Sequence, residues 1–287
     1  MHTKVNHGKR YTKGGGAYVT EIITSQQNKL IKLAASLKLK KYRDELGLFI
    51  VEGVRLVEEA AHSNWLVETC IYTTEALQQE RVQELIRKLT AKNCRMIQVS
   101  TMIYDKITDT QEPQGIMAIV QKHTYQLSAV LACGGKPFFV VLDGLQDPGN
   151  VGTIIRTAAA AGCTGVFLTK GCTDVFANKV VRGTMGSIFH VPIFEGMTHS
   201  EIISCFATHK IEMLATSLES SNLYFTVDFN QSIAVVFGNE GNGVSCQLLE
   251  HSQDRLYIPL LGRVESLNVA ASAAVILYEV VRQRQSL

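Results

Sequence analysis

Residues 142–162 have the sequence LDGLQDPGNVGTIIRTAAAAG, in which a strand ends, a tight turn follows and a helix begins. The stretch FFVVLDGL (138–145) is an apolar strand that becomes polar at its carboxyl end. Asp, Pro, Gly and Asn at 147–150 form a strong turn signal, because these residue types favour turns and helix starts. We therefore predict a strand, a loop at its carboxyl end, and a helix that carries Arg156 in its first turns.

The pattern repeats toward the C-terminus, where strands that are apolar throughout alternate with helices. Such strands are buried on both faces, which favours a mainly parallel sheet with helices on each side. The other predicted strands are 165–170, 211–217, 232–238 and 255–260, and the predicted helices are 151–161, 177–187, 199–210, 245–251 and 266–284. The fold class is therefore α/β, with this sheet in a C-terminal domain at 138–287.

A smaller α/β domain is predicted at 24–121, where short strands and helices also alternate. Its first helix, NKLIKLAASLKLKKYR (28–43), has leucines at helical spacing with lysines around them. The other predicted elements are strands at 48–53, 67–73, 95–100 and 115–122 and helices at 54–63 and 75–93. Residues 122–137 lose the pattern and contain two consecutive glycines, which predicts a linker. Residues 1–23 are basic and rich in glycine, which predicts a flexible tail.

The composition is that of a globular protein, with 46% hydrophobic and 19% charged residues among 287. The longest apolar stretch, 269–281, is shorter than the roughly 18 residues that span a bilayer, and the N-terminus has no secretory apolar region. Seven cysteines, an odd number with no CxxC pair, argue against a disulfide framework or a zinc site. We therefore expect a cytoplasmic protein with no membrane partner and no metal.

The net charge of +2 conceals an uneven distribution. Residues 1–50 contain ten Lys or Arg and three Asp or Glu, a net charge of +7, so the remainder of the chain carries −5. Basic arms of this kind often bind polyanions such as nucleic acid. A solvated helix face with a disordered tail would have the same composition.

Three loops follow predicted strands of the C-terminal domain at one edge of its sheet, where ligands bind in open α/β folds. The loop quoted above superficially resembles a phosphate loop, but it lacks the GxGxxG and GxxxxGK[ST] fingerprints. The second, VVFGNEGNGVS (235–245), surrounds Glu240 with glycines, which let a backbone approach a ligand closely. The third, IPLLGRVESLNVAASAAV (258–275), has Ser266 and Asn268 where the last helix begins. Each loop also has a purely structural interpretation when it is considered alone: the first is an ordinary turn, the second a glycine-rich loop, and the third the cap of a core helix.

Together with NKVVRGTMGSIFHVPI (178–193), the three loops occur in an order that closely resembles the SpoU/TrmH branch of the SPOUT RNA methyltransferases. The resemblance covers 138–284. Residues 24–121 look like the small substrate-binding domain that several members acting on ribosomal RNA carry in front. One such loop would be weak evidence, whereas the ordered set is specific.

The resemblance implies an enzyme that transfers a methyl group from S-adenosylmethionine to a ribose 2′-hydroxyl of structured RNA, with ribosomal RNA the expected substrate. It also implies a homodimer without a metal. A C-terminal trefoil knot is implied too, although periodicity alone would not suggest one because knots are rare. The alternatives are a transfer RNA methyltransferase, a catalytically silent RNA-binding assembly factor, and another kind of nucleotide-binding protein that uses DPGNVGT as its phosphate loop.

The resemblance also assigns candidate site residues. The implied methyl-transfer site comprises Asn150, Arg156, Glu240, Ser266 and Asn268. The methyl donor is implied to contact the backbone of Gly238, Ile258 and Leu267, with Asn239, Glu240, Gly241, Leu260 and Asn268 beside it. The position of Arg156 is often assigned as the base in this family. A free guanidinium holds its protons, so the alternative is that Arg156 fixes an RNA phosphate and polarises the hydroxyl.

The resemblance implies that the N-terminal domain binds the RNA. Proteins that recognise specific RNA sequences usually bind loops and bulges of the RNA, not the interior of its helices. The candidate phosphate contacts are Lys38, Lys40, Lys41 and Arg43. Tyr42 either stacks on a base or packs, and a solvated helix end would contain the same residues. For the implied dimer, the last helix is apolar nearly all round, so an isolated chain is expected to leave Val275, Leu277 or Val281 partly exposed.

Overall fold

The computed structural model describes residues 22–132, 134–220 and 222–285. The chain divides into two compact units, with the boundary after Lys122. The predicted tail lies outside the described residues as far as 21, and its last two residues, Ile22–Ile23, instead form a short strand of the first unit. Within the described ranges, no helix is long and apolar enough to cross a membrane.

The first unit is a mixed five-stranded sheet with helices packed on it. Its elements are β1 (Ile22–Ile23), α1 (Lys29–Ser36), α2 (Lys40–Leu46), β2 (Leu48–Glu52), α3 (Val54–His62), β3 (Val67–Thr73), α4 (Glu80–Ala91), β4 (Arg95–Val99), α5 (Thr101–Ile107) and β5 (Ile116–Gln121). The sheet order is β1-β4-β3-β5-β2, in which β4 is parallel to both neighbours and β5 is antiparallel to both of its own. The four strands predicted here are confirmed, and the structure adds β1 and α5.

The predicted helix at 28–43 is two helices, α1 and α2, with a corner between them. Leu37 is fully buried at the corner, and the backbone of Leu39 is extended. Arg43 is only 4% exposed, and its Nη1 donates to the carbonyl oxygens of Leu37 at 2.7 Å and Lys38 at 2.8 Å. These carbonyls would otherwise lack partners at the end of α1, so Arg43 stabilises the corner.

The second unit is a six-stranded sheet in which every pair of neighbours is parallel, which confirms the predicted sheet type. Its elements are α6 (Leu127–Leu131), β6 (Phe138–Asp143), α7 (Pro148–Ala160), β7 (Gly165–Thr169), α8 (Asn178–Thr184), β8 (Ile193–Met197), α9 (His199–Thr208), β9 (Glu212–Thr216), β10 (Ile233–Gly238), α10 (Cys246–Glu250), β11 (Asp254–Leu256) and α11 (Val269–Gln285). The strand order is β11-β9-β10-β6-β7-β8. The predicted linker contains α6, whose Leu127 and Leu131 pack against this unit's core.

Strands β6 and β10 are neighbours in the middle of this sheet, and their ends are in register. The last residue of β10, Gly238, pairs with the last residue of β6, Asp143. Because the strands are parallel, the loops that follow them begin side by side. Helix α7 begins from the first of these loops, and α11 packs against α7.

Helices α7 and α8 pack with their backbones in close contact at two glycines. A Cβ atom on Gly152 would lie 2.8 Å from the Cα of Gly183 and 2.8 Å from the carbonyl oxygen of Val180. Real side chains do not approach backbone atoms so closely, so glycine is required at 152 unless the helices separate. The contact fixes the start of α7 relative to α8.

Helix α11 buries one face and exposes the other. The buried residues are Ala270, Ala273, Ile276, Leu277 and Val280. Val275 is 38% exposed, as expected, and Tyr278 is 51% exposed. Val281 is half-buried, so two of the three residues named for the implied dimer are partly exposed. Leu277 is fully buried because it follows Ala273 by one helical turn on the core-facing side.

Candidate active site

The first loop places Asn150 in the first turn of α7. Asp147 caps this helix: its Oδ1 accepts a hydrogen bond from the Asn150 amide at 2.8 Å, and Pro148 occupies one of the first helical positions. An aspartate there satisfies one of the amides that a helix start leaves unpaired, and a proline removes another. The sequence signal at 147–150 thus holds Asn150 at the sheet edge, with its side chain half-buried.

The second loop, 239–245, is a tight turn directly after β10. The backbones of Asn239 and Gly243 exchange two hydrogen bonds, at 3.0 and 2.9 Å. A Cβ atom on Gly238 would lie 2.1 Å from the carbonyl carbon of Gly243, so only glycine allows the turn to close. The turn presents Glu240 to solvent.

The third loop ends at Asn268, which caps α11. Its Oδ1 accepts hydrogen bonds from the amides of Ala270 at 2.9 Å and Ala271 at 3.3 Å. The capping interpretation is therefore confirmed for Asn268. Ser266 lies two residues earlier, in an exposed irregular segment.

Three of the five predicted methyl-transfer residues form one chain of hydrogen bonds. The Nδ2 of Asn150 donates to the Oε1 of Glu240 at 2.7 Å, and the Nδ2 of Asn268 donates to the Oδ1 of Asn150 at 3.0 Å. Both ends of the Asn150 carboxamide are therefore engaged, which fixes its orientation. The three residues come from three different loops, so the chain links all three loops at the sheet edge.

The other two predicted residues are not part of this chain. Arg156 lies farther along α7 and is exposed, as is Ser266. Within the described ranges, neither residue donates or accepts a hydrogen bond with Asn150, Glu240 or Asn268.

The segment 258–267 contains most of the predicted donor contacts outside the second loop. Ile258 and Leu260 are half-buried, whereas Leu267 is 40% exposed and Leu261 is 99% exposed. Among the described residues, the amides and carbonyls of this segment make no backbone hydrogen bond. The segment therefore offers free backbone donors and acceptors beside apolar side chains.

Sequence reasoning did not identify a buried carboxylate beneath these loops. Asp143 is 5% exposed and lies within hydrogen-bond distance of Thr169, His199 and Ser245. Burial raises the pKa of Asp143, but hydrogen bonds from Ser245 and His199 outweigh burial and hold this pKa below its usual value. The available signal was a lone acid at the end of an otherwise apolar strand, FFVVLD.

In the part of the chain that the structure describes, no group of three or more His, Cys, Asp or Glu side chains is arranged to hold a metal ion. The cysteines at 70, 94, 163, 172, 205 and 246 are free.

The four predicted RNA contacts of the first unit differ in their surroundings. Lys38 pairs with Asp109 at 2.9 Å and Lys40 pairs with Asp44 at 2.6 Å. Lys41 is exposed, with its Nζ 5.8 Å from the centre of the Tyr42 ring. Arg43 is buried and binds backbone carbonyls, so it is not available to a phosphate, contrary to the prediction.

Comparison with known families and proteins gives a consistent result. A profile described as the SpoU rRNA Methylase family matches residues 137–278, and one described as the MRM3-like substrate binding domain matches 28–118. The chain is 34% identical to the 23S rRNA (guanosine(2553)-2'-O)-methyltransferase RlmP of Bacillus subtilis, over 89% of this chain and 97% of that protein. It is 34% identical to an uncharacterized tRNA/rRNA methyltransferase of Synechocystis, over 91% of this chain and 94% of that protein.

Solved structures agree with these matches. An AdoMet-bound rRNA methyltransferase from Sinorhizobium meliloti has a TM-score of 0.81 and 31% identity, over 93% of this chain and 99% of that chain. The SpoU methyltransferase AviRb from Streptomyces viridochromogenes, in complex with AdoMet, has a TM-score of 0.82 and 28% identity, over 91% of this chain and 99% of that chain. The likeness extends over both units of the fold.

Proposed function

Because the chain belongs to the SpoU rRNA methylase family and is an S-adenosylmethionine-dependent ribose 2′-O-methyltransferase of ribosomal RNA, we propose that Asn150, Glu240 and Asn268 form the centre of its methyl-transfer site. The hydrogen-bonded chain of these three side chains carries the proposal. Methyl transfer requires the attacking hydroxyl to lie in line with the methyl group, so rigidly held polar groups at the sheet edge suit the reaction.

The neighbouring backbone suits the methyl donor. S-adenosylmethionine supplies an electrophilic methyl group on sulfur, and the rest of the molecule needs both apolar contacts and hydrogen bonds. The free backbone groups of 258–267 supply the hydrogen bonds, and Ile258, Leu260 and Leu267 supply apolar surface. On the other side, the proposed contacts are Gly238 at the end of β10 and Asn239 and Gly241 of the second loop.

Arg156 is proposed to bind an RNA phosphate beside the reacting ribose and to polarise the hydroxyl. Its exposure leaves the guanidinium available to a phosphate, whereas a role as base would require it to lose a proton that it holds strongly. Arg156→Lys should then retain more activity than Arg156→Met. Equal activity of the two variants would contradict the phosphate role.

The enzyme is proposed to act as a homodimer through the second unit. The support is the exposed apolar surface of this unit, which includes Val275 and Tyr278 on α11 and Leu261 and Val264 in the preceding segment. The isolated positions of Arg156 and Ser266 fit a site that a second subunit completes. Light scattering at micromolar concentration should give twice the chain mass, and a monomeric mass would count against the dimer.

A trefoil knot is proposed for the second unit. Helix α11 follows β11 at the edge of the sheet, yet it packs against α7, which follows the central strand β6. Residues 257–268 must therefore cross the carboxyl ends of the intervening strands. An experimental structure in which the backbone of the second unit does not thread through itself near the second and third loops would contradict the knot.

We propose that residues 24–121 recognise the RNA and that residues 138–287 carry out methyl transfer. The match of the first range to a substrate-binding profile supports the division. Mapping ribose methylation in cells with and without the protein tests the substrate directly. Loss of one 2′-O-methyl mark in ribosomal RNA is the expected result, and a mark lost only from transfer RNA would favour the alternative substrate.

A further inference from the structure

Asp143 is a junction between four segments of the second unit. Its Oδ1 accepts hydrogen bonds from the Oγ1 of Thr169 at 3.0 Å and from the Nε2 of His199 at 2.8 Å. Its Oδ2 accepts from the amide of Ser245 at 2.8 Å. The carboxylate at the end of β6 therefore joins the end of β7, the start of α9 and the start of α10.

Both ends of the second loop are attached at or next to Asp143. At its beginning, the Nδ2 of Asn239 donates to the carbonyl oxygen of Gly144 at 2.9 Å. At its end, Ser245 donates to Asp143 itself. Glu240, the loop residue of the proposed methyl-transfer site, lies between these two attachments.

The ring of His199 binds the same carboxylate at its Oδ1. Asp143 accepts hydrogen bonds only, so Nε2 of His199 must carry the proton that it donates. His199 is the first residue of α9, and Thr198 and Glu201 form a capping box there, so the backbone position of the ring is fixed. The side chain of His199 is 30% exposed, which makes it replaceable without opening the core.

We propose that Asp143 and His199 are positioning residues for methyl transfer, which act by fixing the 239–245 loop in the shape that binds the methyl donor. The inference rests on the proposed donor site. It differs from a general packing role because it predicts loss of donor affinity with RNA affinity retained. An asparagine at 143 would replace one accepting oxygen with an amide nitrogen, which donates. That nitrogen would face the Nε2 of His199 or the amide of Ser245, both of which also donate, so one of the two hydrogen bonds would be lost.

The test is calorimetric binding of S-adenosylhomocysteine to the full-length protein and to four variants. Asp143→Asn and His199→Leu should weaken binding about tenfold, which is about 1.4 kcal/mol. His199→Gln should bind within about threefold of the wild type, because its Nε2 can donate from a similar position. Ser200→Ala is the matched control: it removes an exposed 3.1 Å bond from Gln247, between the same two helices but not on the loop.

The steady-state KM for the donor should rise in the same order, whereas the KM for RNA should stay constant. Unchanged donor affinity in both Asp143→Asn and His199→Leu would overturn the inference, as would equal losses in His199→Leu and His199→Gln. If Asp143→Asn does not fold, the His199 variants still decide the test, because the side chain of His199 is 30% exposed and its replacement leaves the core closed. A wild type that fails to bind S-adenosylhomocysteine would instead refute the proposed donor site, which separates the two failures.

Discussion

A single carboxamide can serve both the fold and the chemistry, and we propose that Asn268 does so. Its Oδ1 caps α11, and its Nδ2 donates to Asn150 in the proposed site. Replacement by alanine would remove both interactions at once. The effect of such a variant on activity could therefore come from the helix alone.

Asn268→Asp separates the two roles, because an aspartate caps a helix as well as asparagine does. Its second oxygen would face the Oδ1 of Asn150, where the amide now donates. We expect Asn268→Ala to lose about 1 kcal/mol of stability and Asn268→Asp to keep it, while both lose at least about 100-fold in turnover. Thermal melts and single-turnover methylation measure the two effects, and wild-type turnover of Asn268→Asp would remove this residue from the site.

Basic residues that count equally toward the net charge of the first unit differ in whether they are exposed to solvent. Arg43 and Lys41 are two positions apart and look equivalent in sequence, yet one is buried against carbonyls and the other is exposed. No sequence pattern distinguishes them, because the burial of Arg43 depends on the corner at Leu37. Within a helix, side chains two residues apart point in different directions, so neighbours can differ this much.

Arg43→Ala should therefore destabilise the protein, whereas Lys41→Ala should not. Loss of two hydrogen bonds from a buried cation is expected to cost about 2 to 4 kcal/mol. Lys41→Ala should leave the melting curve unchanged. The slope of the logarithm of RNA affinity against the logarithm of salt concentration should fall by about one in magnitude. Melting curves and RNA titrations at several salt concentrations test both, and a large stability loss in Lys41→Ala would contradict the assignment.

At the scale of elements, the close approach of α7 and α8 determines where Asn150 lies. Gly152→Ala would raise helix propensity by about 1 kcal/mol. Its new methyl group would, however, meet backbone atoms of α8 at 2.8 Å. We expect a net loss of about 1 to 3 kcal/mol in stability, measured by denaturant unfolding. Gly262→Ala, where an added Cβ meets nothing within 4 Å, is the control and should unfold like the wild type.

The strands that could be predicted most closely from the sequence are those in which nearly every side chain is buried. The strands β6, β7, β9 and β10 are apolar on both faces, and each was predicted to within about two residues at either end. The strand β8 was missed because it is an edge strand with exposed residues at Glu195 and Gly196. The break between α1 and α2 was missed because it depends on Arg43, a contact within the folded unit rather than a glycine or proline signal.

At the scale of the whole molecule, the proposed site depends on contacts between distant parts of the chain. Asn150 is 90 residues from Glu240 and 118 residues from Asn268, and all three meet at the edge of one sheet. The family resemblance that the order of the loops carries implied which residues belong together. It could not predict which of them bond to each other, or that a buried aspartate lies beneath them, because these depend on register and loop closure.

The two units should separate in function as well as in structure. A chain lacking residues 1–121 keeps the six-stranded sheet and its core, so we expect it to form the proposed dimer and to bind S-adenosylhomocysteine like the full-length protein. The deletion removes the basic residues 1–50, which carry a net charge of +7, together with residues 51–121, which carry −3. Phosphate contacts make RNA affinity fall with salt. RNA affinity and methylation should therefore drop, and RNA binding should depend less steeply on salt. Equal salt slopes for the two proteins would place the RNA surface on the second unit instead.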